Sequence, residues 1–232
     1  MRPWDIIDRE EVPGEEETVY LMCRGSEYVI QVDGRELMSN KLHGSEDALA
    51  DLACDRLEHL EDARILVGGL GMGFTLSAAL RRVGPKGQVT VAELIPAVVR
   101  WNQGLLSKVA KHPLRDSRSV VYAGDVGDLV EKAEKPWSAI LLDVDNGPEA
   151  LTRPYNGWLY SRQGIQAAYN ALIPGGVLGV WSAAADSNLS RRLRKGRFEV
   201  EVLFHTEPGR PTQDGSGTHT LWMAKRPSAR AE

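Results

Sequence analysis

The sequence predicts an α/β fold: a mostly parallel sheet of seven strands with helices on both faces, preceded by a small N-terminal β-hairpin unit. Three observations carry this. From Arg64 onward, short runs rich in Val, Ile and Leu alternate with helical patterns, as expected of parallel strands buried on both faces. The first of these runs enters RILVGGLGMGFTL, residues 64–76, where four glycines fall within six positions ahead of an apolar helical pattern. Residues 18–38, by contrast, hold only β-rich runs with an Asp33-Gly34 turn signal between them. The chain therefore divides into a hairpin unit, residues 1–44, and a sheet domain, residues 45–232.

The elements follow in order. TVYLMC, EYVIQV and RELM are the hairpin strands, the DG dipeptide marking a tight turn. Ser45 is placed to cap a helix whose apolar positions Leu49, Leu52, Ala53, Leu57 and Leu60 recur every three or four residues, giving one buried face. Then come strand RILVGG, a helix from Phe74, strand QVTVAE, a helix from Pro96, strand SVVYAG, a short helix from Val126 and strand WSAILLDV. A helix near Ser161, strand GGVLGVWS after Pro174 and a helix near Asn188 lead to two terminal strands, FEVEVLFH and THTLWMAK. No helix separates these last two, so they are expected to run antiparallel. Their connection, TEPGRPTQDGSG, would then emerge beside the ligand edge of the sheet, as a flap or as a plain surface loop.

Composition narrows the function classes. A chain of 232 residues with 42% hydrophobic content can bury one sizeable core. Its two cysteines, Cys23 and Cys54, and five histidines form no metal-type spacing, so no metal is expected. The acidic start MRPWDIIDREEVPGEEE lacks the apolar core of a signal peptide and no run reaches membrane-span length, so a cytoplasmic protein without a membrane partner is expected. A net charge of −4 argues against a nucleic-acid partner, and the basic cluster RRLRKGR reads as a solvated helix end.

The glycine loop lets backbone approach a ligand closely and aims a helix N-terminus at it. Its spacing, Gly69-x-Gly71-x-Gly73 followed by Phe74, departs from the dinucleotide fingerprint, and no phosphate-loop motif is present. Glu93 ends the second strand about twenty residues on, where a carboxylate reaches paired ribose hydroxyls. Asp125 follows the third strand, as an adenine-side acceptor or as a helix N-cap. Asp143 closes ILLD, the fourth strand, where a bound nucleoside would present its reacting end.

With these residues in view, the sequence resembles the polyamine aminopropyltransferases (spermidine synthases), a branch of the class I S-adenosylmethionine-dependent methyltransferase fold. The likeness runs from VDGRELMS through the glycine loop, VAELIPAVVRWN, VVYAGDVGDLV and WSAILLDVDNGP to LYSRQGIQAAYNALIPGGVLGVWS. It implies a Rossmann-like seven-stranded sheet, a homodimer, and a site in which Glu93 binds ribose, Asp125 lies by the adenine and Asp143 is the first carboxylate of a catalytic D-x-x-D. The departures are specific. Gly71 stands where the family's loop has an aspartate, Leu37 where the hairpin has a glutamine, and Gly44-Ser45-Glu46 where a Tyr-His-Glu segment helps bind the polyamine. Asn146 stands at the second carboxylate, with Asp145 beside it as a substitute.

An aspartate beside the donor's tail attracts the decarboxylated, cationic form and repels the carboxylate of S-adenosylmethionine. With Gly71 there, the first expectation is methyl transfer from S-adenosylmethionine to a small amine-type acceptor. Aminopropyl transfer from decarboxylated S-adenosylmethionine, with Asp145 as the missing carboxylate, is the second, and a nucleoside-binding protein without turnover the third. In either transfer Asp143 orients or deprotonates the acceptor, while Asp145 and Glu149 favour a cation. Asp145 and Asn146 are equally explained by turn chemistry in DVDNGP. Tyr155, Trp158 and Tyr160 would wall the acceptor pocket or pack in the core, and Arg153 would pair with an acceptor carboxylate or with Asp145 or Glu149.

Overall fold

Two sheets organise the chain in a computed structural model that describes residues 3–14, 16–144, 157–206 and 218–228. The first is antiparallel, β1 (Asp5–Glu11), β2 (Thr18–Arg24), β3 (Glu27–Val32) and β4 (Arg35–Ser39), paired in that order. The sequence pattern gives the last three. Strand β1, DIIDREE, escapes it because the strand is charged and mostly exposed, and its pairing with β2 is irregular between Ile6 and Asp8. The β3–β4 turn places Asp33 and Gly34 at φ 47° and 76°, the left-handed pair that a tight hairpin requires.

Helix α1 (Gly44–Cys54) links the two sheets, and its start corrects the sequence reading. The N-cap is His43, with no side-chain cap bond, and Ser45 lies inside the first turn. Its hydroxyl is drawn into a buried network described below. Leu57 and Leu60 fall beyond the helix end but still pack on the core.

The second sheet holds β5 (Arg64–Gly68), β6 (Gln88–Glu93), β7 (Ser119–Ala123), β8 (Trp137–Leu142), β9 (Leu172–Ser182), β10 (Glu199–Thr206) and β11 (Thr218–Lys225). Their order is β10-β11-β9-β8-β5-β6-β7. Strands β5 to β9 pair in parallel, while β11 runs antiparallel to both β9 and β10. Helices α2 (Phe74–Arg82), α3 (Pro96–Gln103), α4 (Val126–Glu131), α5 (Arg162–Ala171) and α6 (Ser187–Lys195) complete the expected α/β alternation. Strand β9 starts at Leu172, ahead of Pro174.

The central strands β5, β6, β8 and β9 are apolar on both faces because each face buries a separate core. Ile65, Val67, Ala139 and Leu141 point to one core, shared with α1, α2 and the N-terminal sheet; Leu66, Ile140 and Leu142 point to the other, under α4, α5 and α6. This is a Rossmann-like sheet of the class I methyltransferase type. Its strand order reverses between β5 and β8, and ligands bind in the crevice that such a reversal opens. No helix among the described residues is long and apolar enough to cross a membrane.

Candidate functional site

A cavity of about 160 Å³ opens at that reversal, between the C-terminal ends of β5, β6 and β8. The inner face of the N-terminal sheet roofs it with Val12, Val19, Ile30, Val32, Leu37 and Met38. The hairpin unit is therefore part of the site.

The floor is the glycine loop. Gly69 has φ 87°, and a Cβ there would collide with the carbonyl oxygen of Asp143, so only glycine allows β5 and β8 to release their chains this closely. Gly71 has φ 50°, and its missing side chain leaves the space taken by the Met38 thioether, 2.6 Å from where a Cβ would stand. Gly73 is the N-cap of α2. From α3, Asn102 donates Nδ2–H to the carbonyl of Gly71 (2.7 Å) and to that of Val98 (2.9 Å), which holds the loop's outer edge.

Three carboxyl groups singled out in the sequence reach this cavity from three strand ends. Glu93, buried at the end of β6, accepts the Leu70 amide on Oε2 (2.9 Å) and the Ile95 amide on Oε1 (2.8 Å). Asp125 caps α4 by accepting the Gly127 amide (2.7 Å) and lines the cavity as well, so both roles foreseen for it coexist. Asp143 accepts a bond on Oδ2 from the Thr75 hydroxyl (2.6 Å), in the first turn of α2.

A fourth carboxyl group, Glu46 from α1, also lines the cavity. Ser45 donates to its Oε2 (2.5 Å), and the same hydroxyl meets Trp181 Nε1 from β9 (3.0 Å) and His219 Nδ1 from β11 (2.8 Å). Ser45 is fully buried, and the Trp181 and His219 rings lie 4.8 Å apart. The described lining thus carries Glu46, Glu93, Asp125 and Asp143 and no lysine, arginine or histidine. Among the described residues no three metal-ligating side chains gather. Burial pushes the Cys54 thiol up to about 11, which removes it as a nucleophile near neutral pH.

Other sequence expectations land elsewhere. Tyr160 is buried in the second core and Trp158 packs against that core and Gly127, so neither walls the cavity; α5 takes its start from this corner and needs both as packing. Asp145, Asn146, Glu149, Arg153, Tyr155 and the 207–217 connection lie outside the described residues. Thr75, Met38, Asn102 and His219 were not foreseen. Nothing local marks them, because each matters through a partner brought by another element.

No family model and no curated protein matches the chain. Its fold does match solved structures. A spermidine synthase in complex with the transition-state analogue AdoDATO superposes with a TM-score of 0.74 at 17% identity, covering 97% of this chain and 73% of that one. The spermidine synthase of Thermotoga maritima gives a TM-score of 0.74 at 16% identity with the same coverage. At this identity the likeness is one of fold. The fold is shared over nearly the whole of this chain.

Proposed function

We propose that the protein is a transferase for an adenosyl sulfonium donor, moving an aminopropyl group from decarboxylated S-adenosylmethionine to a small amine. The sign of the cavity carries this reading. Its described lining has four carboxyl side chains and no cationic one, which suits a donor and an acceptor that are both positive. The carboxylate of intact S-adenosylmethionine would meet no cation among the described lining residues, and a pair of unit charges at 4 Å is worth about 4 kcal/mol at an effective dielectric of about 20. The fold likeness to spermidine synthases, one of them holding a transition-state analogue, supports the same choice.

In this account Glu93, its carboxyl group oriented by two backbone amides, binds the ribose hydroxyls, and Asp125 accepts from the adenine amino group. Gly69 and Gly71 admit the nucleoside to the backbone, and Gly73 starts the helix whose N-terminus faces it. The donor supplies an alkyl carbon already activated on sulfur, so alignment and exclusion of water are the protein's main tasks. Asp143 accepts a hydrogen bond from the acceptor amine, its orientation fixed by Thr75. Asp145 is assigned the second carboxylate, and Asn146 and Tyr155 acceptor contacts, from their sequence positions alone.

Methyl transfer from S-adenosylmethionine is the second reading, and one observation favours it. The wall facing the donor's tail has Gly71 with Met38 packed against it, and Leu37 alongside, where an acid would select the decarboxylated form. Incubation of the purified protein with each donor and a diamine, followed by separation of the nucleosides, decides between them. Methylthioadenosine is the expected product. Adenosylhomocysteine would establish methyl transfer instead, and neither product would leave a nucleoside-binding protein without turnover.

A further inference from the structure

Behind the glycine loop stands a buried side chain whose polar atoms are only partly satisfied. Asn102, near the end of α3, is 1% exposed. Its Nδ2 donates one hydrogen to the Gly71 carbonyl (2.7 Å) and the other to that of Val98 (2.9 Å). Its Oδ1 is buried and has no hydrogen-bond partner among the described residues. That oxygen lies 3.2 Å from where a Cβ on Gly73 would stand. A buried acceptor left without a partner is costly, and an apolar side chain of the same outline would avoid that cost. What the amide adds to the fold therefore lies in the bonds of its nitrogen. Val98 is four residues back on the same helix, where the helical ladder already serves its carbonyl. The Gly71 carbonyl belongs to a loop that has no such ladder.

The loop depends on such a tie. Gly69, Gly71 and Gly73 all stand at positive φ, and glycine backbone is the least restrained of any. Side chains from two separate elements grip adjacent residues of it: Glu93 accepts the Leu70 amide, and Asn102 donates to the Gly71 carbonyl. A backbone bond from the Gly73 amide to the Leu70 carbonyl (2.7 Å) closes the turn. The helix that carries Asn102 is anchored, since the preceding Arg100 and Trp101 tie α3 to Glu10 and Asp8 of β1. Pro113 and Ala110 pack against Gly73, and the turn that brings them there holds Lys111 and His112 in succession at φ 63° and 60°. Two neighbouring non-glycine residues in the left-handed region are strained, and bonds between His112 and Ser107 hold them there. We propose that Asn102 is a positioning residue for the donor: its hold on the Gly71 carbonyl keeps the glycine loop in the shape that admits an adenosyl compound. Gly69, Gly71 and Val98 line the cavity and Asn102 does not, so its effect falls on donor affinity and not on the transfer step. Assigning the loop to the donor rests on the proposed function; the hold on the loop does not.

Asn102→Leu in the full chain is the test. Leucine repeats the heavy-atom outline of asparagine and removes both the tie and the unpartnered oxygen, so the fold should hold while the loop loosens. Hydrogen exchange on the protein without ligand should be at least tenfold faster at the Leu70 and Gly73 amides, with the amides inside β5 and β6 unchanged. Calorimetric titration with decarboxylated S-adenosylmethionine and with S-adenosylmethionine should give a Kd at least tenfold weaker for whichever of the two the wild type binds. In turnover the donor KM should rise by the same factor, with kcat and the amine KM unchanged. Should Asn102→Leu fail to fold, Asn102→Ala serves instead, removing the amide with no added bulk. Unchanged exchange at Leu70 and Gly73 would overturn the hold on the loop. Faster exchange with an unchanged Kd would overturn the donor role, as would a lower Tm with an unchanged Kd, which would make Asn102 a packing residue alone. A wild type that binds neither compound would refute the proposed function, while the exchange experiment still decides whether Asn102 holds the loop.

Discussion

Thr75 orients the carboxyl group that the proposed function puts at the reacting end of the cavity. Its hydroxyl, 2.6 Å from Asp143 Oδ2, fixes the orientation of that carboxyl group. A hydrogen bond to a charged group is worth roughly 1.5–3 kcal/mol, so Thr75→Val should lower kcat by about tenfold or more. Donor binding, which the proposed function rests on Glu93, should be unchanged; a fall in affinity with intact kcat would place Thr75 in the nucleoside site. Gly71 offers the complementary change. Aspartate tolerates left-handed backbone better than most residues, and the obstacle to it is the flexible end of Met38. Gly71→Asp should therefore fold and shift donor preference toward the decarboxylated form by about tenfold or more, as a nearby charge of this sign requires. Equal preference in titration calorimetry would mean that the tail does not lie beside Gly71.

At the scale of elements, the N-terminal sheet is the roof of the cavity. Strand β1 is held to α3 by the Trp101 indole donating to Asp8 (2.8 Å) and by Arg100 with Glu10 (2.6 Å). The Trp101 bond, then the Arg9 amide, hold the Asp8 carboxyl below its usual range. A carboxyl group depressed in the folded state stabilises the fold above its unfolded value, about 3.9, and loses that contribution as pH falls through the folded value. Acidification below about pH 4 should therefore loosen β1 from α3, and Asp8→Asn should remove that part of the acid dependence. Hydrogen exchange at the β1 amides reads it directly: protection in the wild type that stays constant from pH 5 to pH 3 would contradict the tie. Asp8 is substantially exposed, so the effect on global stability is small.

For the whole molecule, the large sheet was legible and the roof only partly so. Strands β5, β6, β8 and β9 are apolar runs because both their faces are buried, and that pattern needs no knowledge of neighbours. Strand β1 is exposed and charged, and only its partner makes it a strand. Glu93, Asp125 and Asp143 could be singled out because they interrupt apolar strands at fixed distances from the glycine loop. Ser45 looks like a helix cap in sequence; besides the adjacent Glu46, its hydroxyl meets partners 136 and 174 residues away, beyond any local pattern. Trp158 and Tyr160 look like a pocket wall beside Tyr155, yet the packing of α5 takes them.

All these scales meet in one claim, that the cavity holds an adenosyl sulfonium with a positive tail. Thermal unfolding of the purified protein with decarboxylated S-adenosylmethionine and with S-adenosylmethionine, side by side, tests it most directly. A ligand at a hundredfold excess over its Kd adds about 2.7 kcal/mol, which raises Tm by roughly 5–10 °C in a chain of this size. The account predicts that rise with the decarboxylated compound and a smaller one with the intact compound. No shift with either, or a larger shift with the intact compound, would contradict it.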